Sequence, residues 1–250
     1  TIIVCRDTQD SEAGASQRRL RGAWKLDDIG AVLRADPRRN YVSLESRNFL
    51  LDSRLVEAAR AAASESPYHR QEVLTYLANA ISVGENEIPY SLVGSVSPWR
   101  LPSGAKAGPP LGSFGAEDGF LDEAGIVLNS WAAADLEAVA GNKVIVKFYV
   151  IGAEHELVER SAEFTLQGVV QMSGPALDPG WTPEYPGVSD AETFSDWDPP
   201  FPLDHSKIRD PGPDGDYWKE FRTTPKGFIH SSVGERLWAG KYGQLTSFRV

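Results

Sequence analysis

The chain has 250 residues, of which 41% are hydrophobic and 24% are charged, and its formal net charge is -10 at pH 7. This composition predicts a globular protein with a sizeable core. The acidic balance excludes proteins that neutralise nucleic-acid phosphates or dock on anionic lipid surfaces. No apolar run approaches the roughly 18 residues of a membrane-spanning helix. The one cysteine, Cys5, excludes a disulfide within the chain, and we interpret it as a small buried residue.

The first third of the chain is predicted to hold strands around one helix. The predicted strands cover 1–6, 26–34, 41–51, 73–83 and 88–96, with a solvated linker at 7–23 and turns at 36–40 and 84–87. Asp52 and Ser53 are expected to cap a helix that runs through about Ala63. Residues 97–122 are rich in proline and glycine, and we interpret them as a hinge that crosses into a second lobe.

A strand, a helix and a hairpin are predicted for residues 125–170. The apolar strand 125–129 is followed by Ser130, which we expect to cap a helix that ends at Gly141. Alternating apolar residues then predict two strands, at 143–150 and 162–170.

Residues 174–220, called the acidic aromatic segment below, combine charge and rings unusually. They contain eleven acids, three bases and seven aromatic residues. A disordered tail would have few aromatic residues, so we expect a long loop pinned by its rings. It is predicted to be a lobe-packing or partner-binding surface, anchored by Trp181, Trp197 and Trp218. Asp196 and Asp198 belong to the same predicted surface.

The closing residues 225–250 are predicted to form a strand, a helix and a final strand. The pattern Ser232-x-x-Glu235 indicates a capping box at the start of the helix. A right-handed crossover would make the two strands parallel neighbours.

Motifs that carry chemistry are weak in this sequence. Gly234 to Lys241 has the wrong spacing for a phosphate loop, and His155 to Glu159 lacks the second histidine of a zinc-peptidase helix. His69 and His230 are interpreted as structural. Two acidic clusters could ligate a metal or act on a sugar, but such acids more often form turns: Asp196, Asp198, Asp204 with His205, and Asp210, Asp214, Asp216 with Glu220. We therefore predict no catalytic residue, no cofactor and no metal.

Several runs resemble the extracytoplasmic domain of FtsX/MacB-like ABC transporter permeases. They are Ile126-Val-Leu-Asn-Ser-x-Ala-Ala-x-Asp-Leu, Phe164-x-Leu-x-Gly168-Val-Val, and the closing runs 224–230, 235–238 and 245–250. The resemblance covers about half of the chain. It implies a two-lobed α+β fold with mixed sheets and short helices. The implied division is a membrane-proximal lobe from 1–96 with 221–250, a crossing at 97–122, a distal lobe at 123–173 and an insertion at 174–220.

The resemblance also implies a role and partners. It implies a non-catalytic domain at the periplasmic face of the bacterial inner membrane, which couples ATP hydrolysis inside to substrate export, lipoprotein release or partner activation. Its partners would be its own transmembrane helices and a cytoplasmic ATPase, with a homodimer and a periplasmic adaptor or lipoprotein as further options. Both ends of the chain look cut from a longer polypeptide. The alternative is a secreted carbohydrate-binding module or glycosidase that uses residues 174–220.

Overall fold

The computed structural model describes residues 25–64, 70–96, 121–199, 201–240 and 243–250. The predictions for 1–23, including Cys5, for His69 and for most of the 97–122 hinge lie outside these residues. Among the helices described, none is both long and apolar enough to cross a bilayer.

The described residues form strands, short α-helices and 3-10 turns. The strands are β1 (Ala31–Asp36), β2 (Tyr41–Ser46), β3 (Gln71–Val83), β4 (Asn86–Val96), β5 (Gly125–Asn129), β6 (Lys143–Ile151), β7 (Leu157–Val170), β8 (Gly227–His230) and β9 (Ser247–Arg249). The α-helices are α1 (Ser53–Ser64), α2 (Ser130–Asp135), α3 (Pro213–Phe221) and α4 (Ser231–Trp238). Four 3-10 turns lie in the acidic aromatic segment, and a fifth spans Leu26–Ile29.

The strands form one mixed sheet in the order β1-β2-β9-β3-β4-β8-β5-β7-β6, and β6 also pairs with β3. Six strands, from β3 to β6 in that order, therefore close into a ring. The pairs β4–β8 and β5–β7 are parallel, and the other pairs are antiparallel. The predicted α+β class with mixed strands and short helices is confirmed. Strands from the proposed proximal and distal lobes hydrogen-bond to each other, and the division into lobes stays a prediction.

The core lies where the ring, α2 and α4 meet. Alternate residues of β6 and β7 point into it, as the sequence pattern predicted, including Val146, Phe148, Phe164 and Leu166. The predicted helix at 53–63 and the turn at 84–87 are also confirmed. The predicted strand at 26–34 instead begins as a 3-10 turn. Gly30, with a φ of 69°, ends that turn and allows β1 to start.

Helix α2 differs from the prediction at both ends. Its N-cap is Asn129, whose Oδ1 accepts a hydrogen bond of 2.7 Å from the Ala132 amide, and not Ser130. The helix stops at Asp135 because Glu137 takes a φ of 52°, which helical residues do not adopt. Gly141 therefore does not cap it, and its amide donates to the Leu166 carbonyl instead.

The closing strands are not neighbours, which corrects the predicted crossover. β8 lies between β4 and β5, and β9 lies between β2 and β3. β8 has β4 on one side and β5 on the other, so no free edge is left for β9. The chain therefore leaves the six-stranded ring after β8, and β9 pairs with β2 and β3. The N-cap of α4 is His230 and not Ser232: its Nδ1 accepts from the Ser232 amide at 3.1 Å.

Candidate functional site

The acidic aromatic segment buries its rings against the sheet. Trp197 and Trp218 meet edge to face with centroids 4.9 Å apart, and Phe194 packs on both. This cluster also contains Leu77 of β3 and Leu92 of β4. Trp197 is 5% exposed and Trp218 is 2% exposed, so both act as internal anchors. Their proposed contact with a partner remains a prediction that nothing in this arrangement supports.

Trp181 lies in a separate cluster. It packs edge to face on Phe228 of β8 at 5.6 Å, with Val73 and Val96 beside it. Its exposed fraction is 1%. The structure therefore does not bring the three predicted tryptophans together, although each one fastens the segment to the sheet.

The predicted acids have mainly local roles. Asp196 is exposed and accepts hydrogen bonds from the amide and hydroxyl of Thr193. Asp198 is also exposed. Asp204 accepts from Ser206, and these hydrogen bonds hold the pKa of its carboxyl below the usual range. Within the described ranges, no three His, Cys, Asp or Glu side chains converge where they could hold a metal ion.

A buried arginine joins the segment to the end of the sheet. Arg249 of β9 is 2% exposed, and its Nη1 lies 3.0 Å from Asp178 Oδ2. The guanidinium carbon lies 4.6 Å from the Tyr41 ring centroid and 4.3 Å from that of Trp181. The Tyr41 hydroxyl donates to Asp178 Oδ1 at 3.0 Å. These four residues, called the Arg249 clasp below, tie β2, β9 and the acidic aromatic segment together.

The clasp depends on a close backbone approach at Gly180. A Cβ atom at this position would overlap the Tyr41 hydroxyl and lie 3.2 Å from Arg249 Nη2. The Gly180 amide also donates to Asp178 Oδ1 at 2.8 Å, which holds the carboxylate in place. Arg249 Nε and Nη2 are buried and have no hydrogen-bond partner among the described residues. Aromatic faces can stabilise a cation that is only partly paired.

A second buried cation lies on the other side of the segment. Lys226 is 3% exposed, and its Nζ lies 4.6 Å from the Trp131 ring centroid and 4.7 Å from that of Tyr217. Nζ donates no hydrogen bond within the described part of the chain. Burial lowers the pKa of this amine to about 8, because a charged group loses its hydration there. We call Lys226 and its two rings the Lys226 cage.

The surroundings of the cage are hydrogen-bonded and charged. The Tyr217 hydroxyl accepts from Asn129 Nδ2 and donates to the Thr224 carbonyl, both at 2.9 Å. Nearby, Arg209 forms paired hydrogen bonds of 2.6 to 3.1 Å with Asp135 and with the buried Asp214. Asp214 belongs to one of the two acidic clusters that the sequence analysis interpreted as turn formers, and in the fold it joins this ion-pair network. Paired carboxylates hold the pKa of Arg209 above its usual value.

Sequence reasoning missed both buried cations. Lys226 lies between a proline and a glycine, and no periodic pattern marks it as internal. Arg249 follows Phe248 in a predicted strand, so the alternation of side chains places it on the face opposite that ring and gives no sign that it is buried. Neither position carries a recognisable motif, since the aromatic partners come from distant parts of the chain.

Comparisons with known proteins find similarity only to solved structures. No family model matches the chain, and no curated protein matches it. The chain is similar to the crystal structure of the periplasmic region of MacB from Actinobacillus actinomycetemcomitans, with a TM-score of 0.38 and 12% identity. The alignment covers 82% of this chain and 66% of that one. A likeness of this degree does not identify the family or the activity of the chain.

Proposed function

We propose that the chain is a non-catalytic extracytoplasmic domain of an ABC transporter permease, which transmits movement through a stiff sheet. The observation that carries this proposal is the place of the closing residues 225–250 in the fold. They enter the sheet twice, as β8 between β4 and β5 and as β9 between β2 and β3. The resemblance of the runs 126–136, 164–170, 224–230, 235–238 and 245–250 to FtsX/MacB-like permeases supports the same reading.

The attachment of β9 is suited to carrying a load. β9 runs antiparallel to both β2 and β3, and Val42 and Val250 exchange two hydrogen bonds of 2.9 and 3.0 Å. A pull on Val250 along the strand acts on these bonds together, since they lie across the direction of the force. The Arg249 clasp adds a buried side-chain link to the same strand. Movement at this end of the chain would therefore pass into the body of the sheet.

The location and partners of the domain are part of this proposal. We place it at the periplasmic face of the inner membrane, attached to transmembrane helices and coupled to a cytoplasmic ATPase. The resemblance offers three roles, which are substrate export, lipoprotein release and partner activation. The further partners would be a second copy of the chain, a periplasmic adaptor or a lipoprotein. The glycosidase alternative needs two carboxylates in a cleft that aromatic rings line. Trp181, Trp197 and Trp218 are buried, and the cleft lined by Tyr185 and Phe201 has no acid among the described residues of its lining.

The test uses the full-length parent protein in bacterial cells. Cys5 is replaced by serine, and Glu154→Cys is introduced in the exposed turn between β6 and β7. We expect a membrane-impermeant maleimide to label this cysteine in intact cells. We also expect the parent protein, purified from membranes, to carry an ATPase with it. The Cys5→Ser protein without the new cysteine is the control.

Two results would contradict the proposal. One is labelling that appears only after the cells are made permeable, which would place the domain in the cytoplasm. The other is a parent protein that is released from membranes by salt alone and brings no ATPase activity.

A further inference from the structure

Two adjoining clefts lie beside the ring, and they share the residues Leu50, Tyr76 and Ile151. The first cleft has a volume of about 580 Å³ and lies between the end of α4 and the β6–β7 hairpin. The second has a volume of about 340 Å³ and lies between the hairpin and the acidic aromatic segment. Tyr76 is held between them, because its ring stacks on Trp238 and its hydroxyl donates to the Tyr149 carbonyl.

The second cleft is lined mainly by rings and aliphatic side chains. Its apolar lining includes Phe49, Leu77, Tyr149, Leu157, Tyr185 and Phe201. Leu157 is 42% exposed and Ile151 is 50% exposed, so two large apolar side chains stand at the surface of the cleft. Concave apolar surfaces of this kind, with few polar groups, are typical of ligand sites.

The first cleft has two arginines in its lining. Arg160 and Arg236 are the charged residues that line it, and no acid lines either cleft. The lining of the two clefts is thus positively charged, although the chain has a net charge of -10. Arg236 lies 3.4 Å from Glu123, and both side chains are exposed. Arg160 forms no ion pair with any described residue.

Arg160 is an exposed residue of β7 that lies opposite a buried ring. It pairs directly with Phe148 across the β6–β7 ladder, and Phe148 is 1% exposed. Further along the same face of β7, Phe164 and Leu166 are buried. A charge at the end of this apolar stripe is consistent with a binding role for the guanidinium.

Trp238 and Tyr76 together form a wall of the first cleft. Trp238 is 6% exposed, and its ring stacks on that of Tyr76 with centroids 5.1 Å apart. A ligand in this cleft would therefore meet an apolar ring beside the two arginines.

We infer that the two clefts bind a single-chain amphiphile with a carboxylate head. The carboxylate would lie against Arg160 and Arg236, and the aliphatic chain would lie along the rings of the second cleft. Arginine pairs with carboxylates through two parallel hydrogen bonds, so the head group is matched in charge and geometry. This site is independent of the transport role, and its failure would leave that proposal standing.

Calorimetric titration of the 250-residue chain tests the inference, with soluble probes below their micelle concentrations. The probes are dodecanoate, dodecyltrimethylammonium with the same chain length, and acetate with the head alone. Dodecanoate is expected to bind at least about tenfold more tightly than the cation, although the net charge of the chain favours the cation. Acetate is expected to show no binding. Equal binding of the two dodecyl probes, or no binding of dodecanoate, would overturn the inference.

Two variants locate the site. Arg160→Gln should weaken dodecanoate binding about tenfold and leave binding of the cation unchanged. Arg54→Gln, on the exposed side of α1, removes the same charge elsewhere and should change neither. Leu157→Asp should weaken both dodecyl probes, because it places a charge beside the chain. Dodecanoate binding that is equal in Arg160→Gln and in the unchanged chain would exclude this site, provided that both proteins show the same melting temperature.

Discussion

The Lys226 cage predicts that the chain becomes more stable as the pH rises through the mildly alkaline range. Burial lowers the pKa of Lys226 from 10.5 to about 8 in the folded chain, and in the unfolded chain the amine regains its ordinary value. Between these two values the unfolded chain binds more protons than the folded one. The free energy of unfolding must therefore increase with pH in that window.

The expected magnitude follows from the same pKa change. Well below pH 8, Lys226 is charged in both the folded and the unfolded chain. The lowered pKa then corresponds to a loss of about 3 kcal/mol in the free energy of unfolding. About 2 kcal/mol of this should be recovered between about pH 7 and pH 9.5. The rings of Trp131 and Tyr217 act in the opposite direction, because they attract the charged form by up to about 2 kcal/mol at a desolvated site. The experiment decides which of the two effects is larger.

The assay is urea unfolding, followed by circular dichroism, of the unchanged chain and of Lys226→Met. The methionine keeps the unbranched shape of the side chain, one atom shorter and without a charge. The difference in unfolding free energy between the two proteins should move in favour of the unchanged chain by about 2 kcal/mol as the pH rises to about 9.5. Lys219→Met, at an exposed site on α3, serves as the control and should give a constant difference. A constant difference for Lys226→Met would show that the rings hold the pKa near its ordinary value, and it would refute the reasoning.

Three further predictions concern the attachment of the acidic aromatic segment, and all are measured by urea unfolding. Asp178→Ala should lower the free energy of unfolding by about 3 to 5 kcal/mol, because it leaves Arg249 buried without its carboxylate. The control Asp190→Ala, at an exposed acid, should lower it by less than about 0.5 kcal/mol. Equal losses in the two variants would contradict the role of the Arg249 clasp. Asn129→Ala should cost about 2 kcal/mol or more through the lost cap and two buried hydrogen bonds, and a loss below about 0.5 kcal/mol would argue against that role. Trp218→Ala should cost about 3 to 5 kcal/mol by opening a cavity, whereas a surface-bound ring would cost little.

The sequence predicted secondary structure well where apolar residues repeat at a regular spacing. Strands β6 and β7 could be predicted because Val146, Phe148, Phe164 and Leu166 alternate with polar residues. The end of α2 could not be predicted, since it depends on the backbone of Glu137, and a glycine further along looked like the better stop. The acidic aromatic segment was expected to be fixed by its rings, and the burial of those rings agrees with that. Its possible use as a partner surface stays a prediction.

The two cation sites were beyond sequence reasoning for a different reason. Arg249 and Tyr41 are more than 200 residues apart in the chain, and Asp178 lies between them. Only the pairing of β2 with β9 brings them together. A long-range register of this kind leaves no local pattern. The order of strands was missed for the same reason, because β8 and β9 looked like simple neighbours.

Closure of the six-stranded ring also limits how this protein can associate with other chains. Among the described strands, β1 is the one that pairs on a single side along its whole length. Addition of a foreign strand needs such a free edge, and edges of this kind are where sheet proteins aggregate. Arg34 and Asp36 place charges of both signs on β1, and that short, charged edge makes strand addition unfavourable.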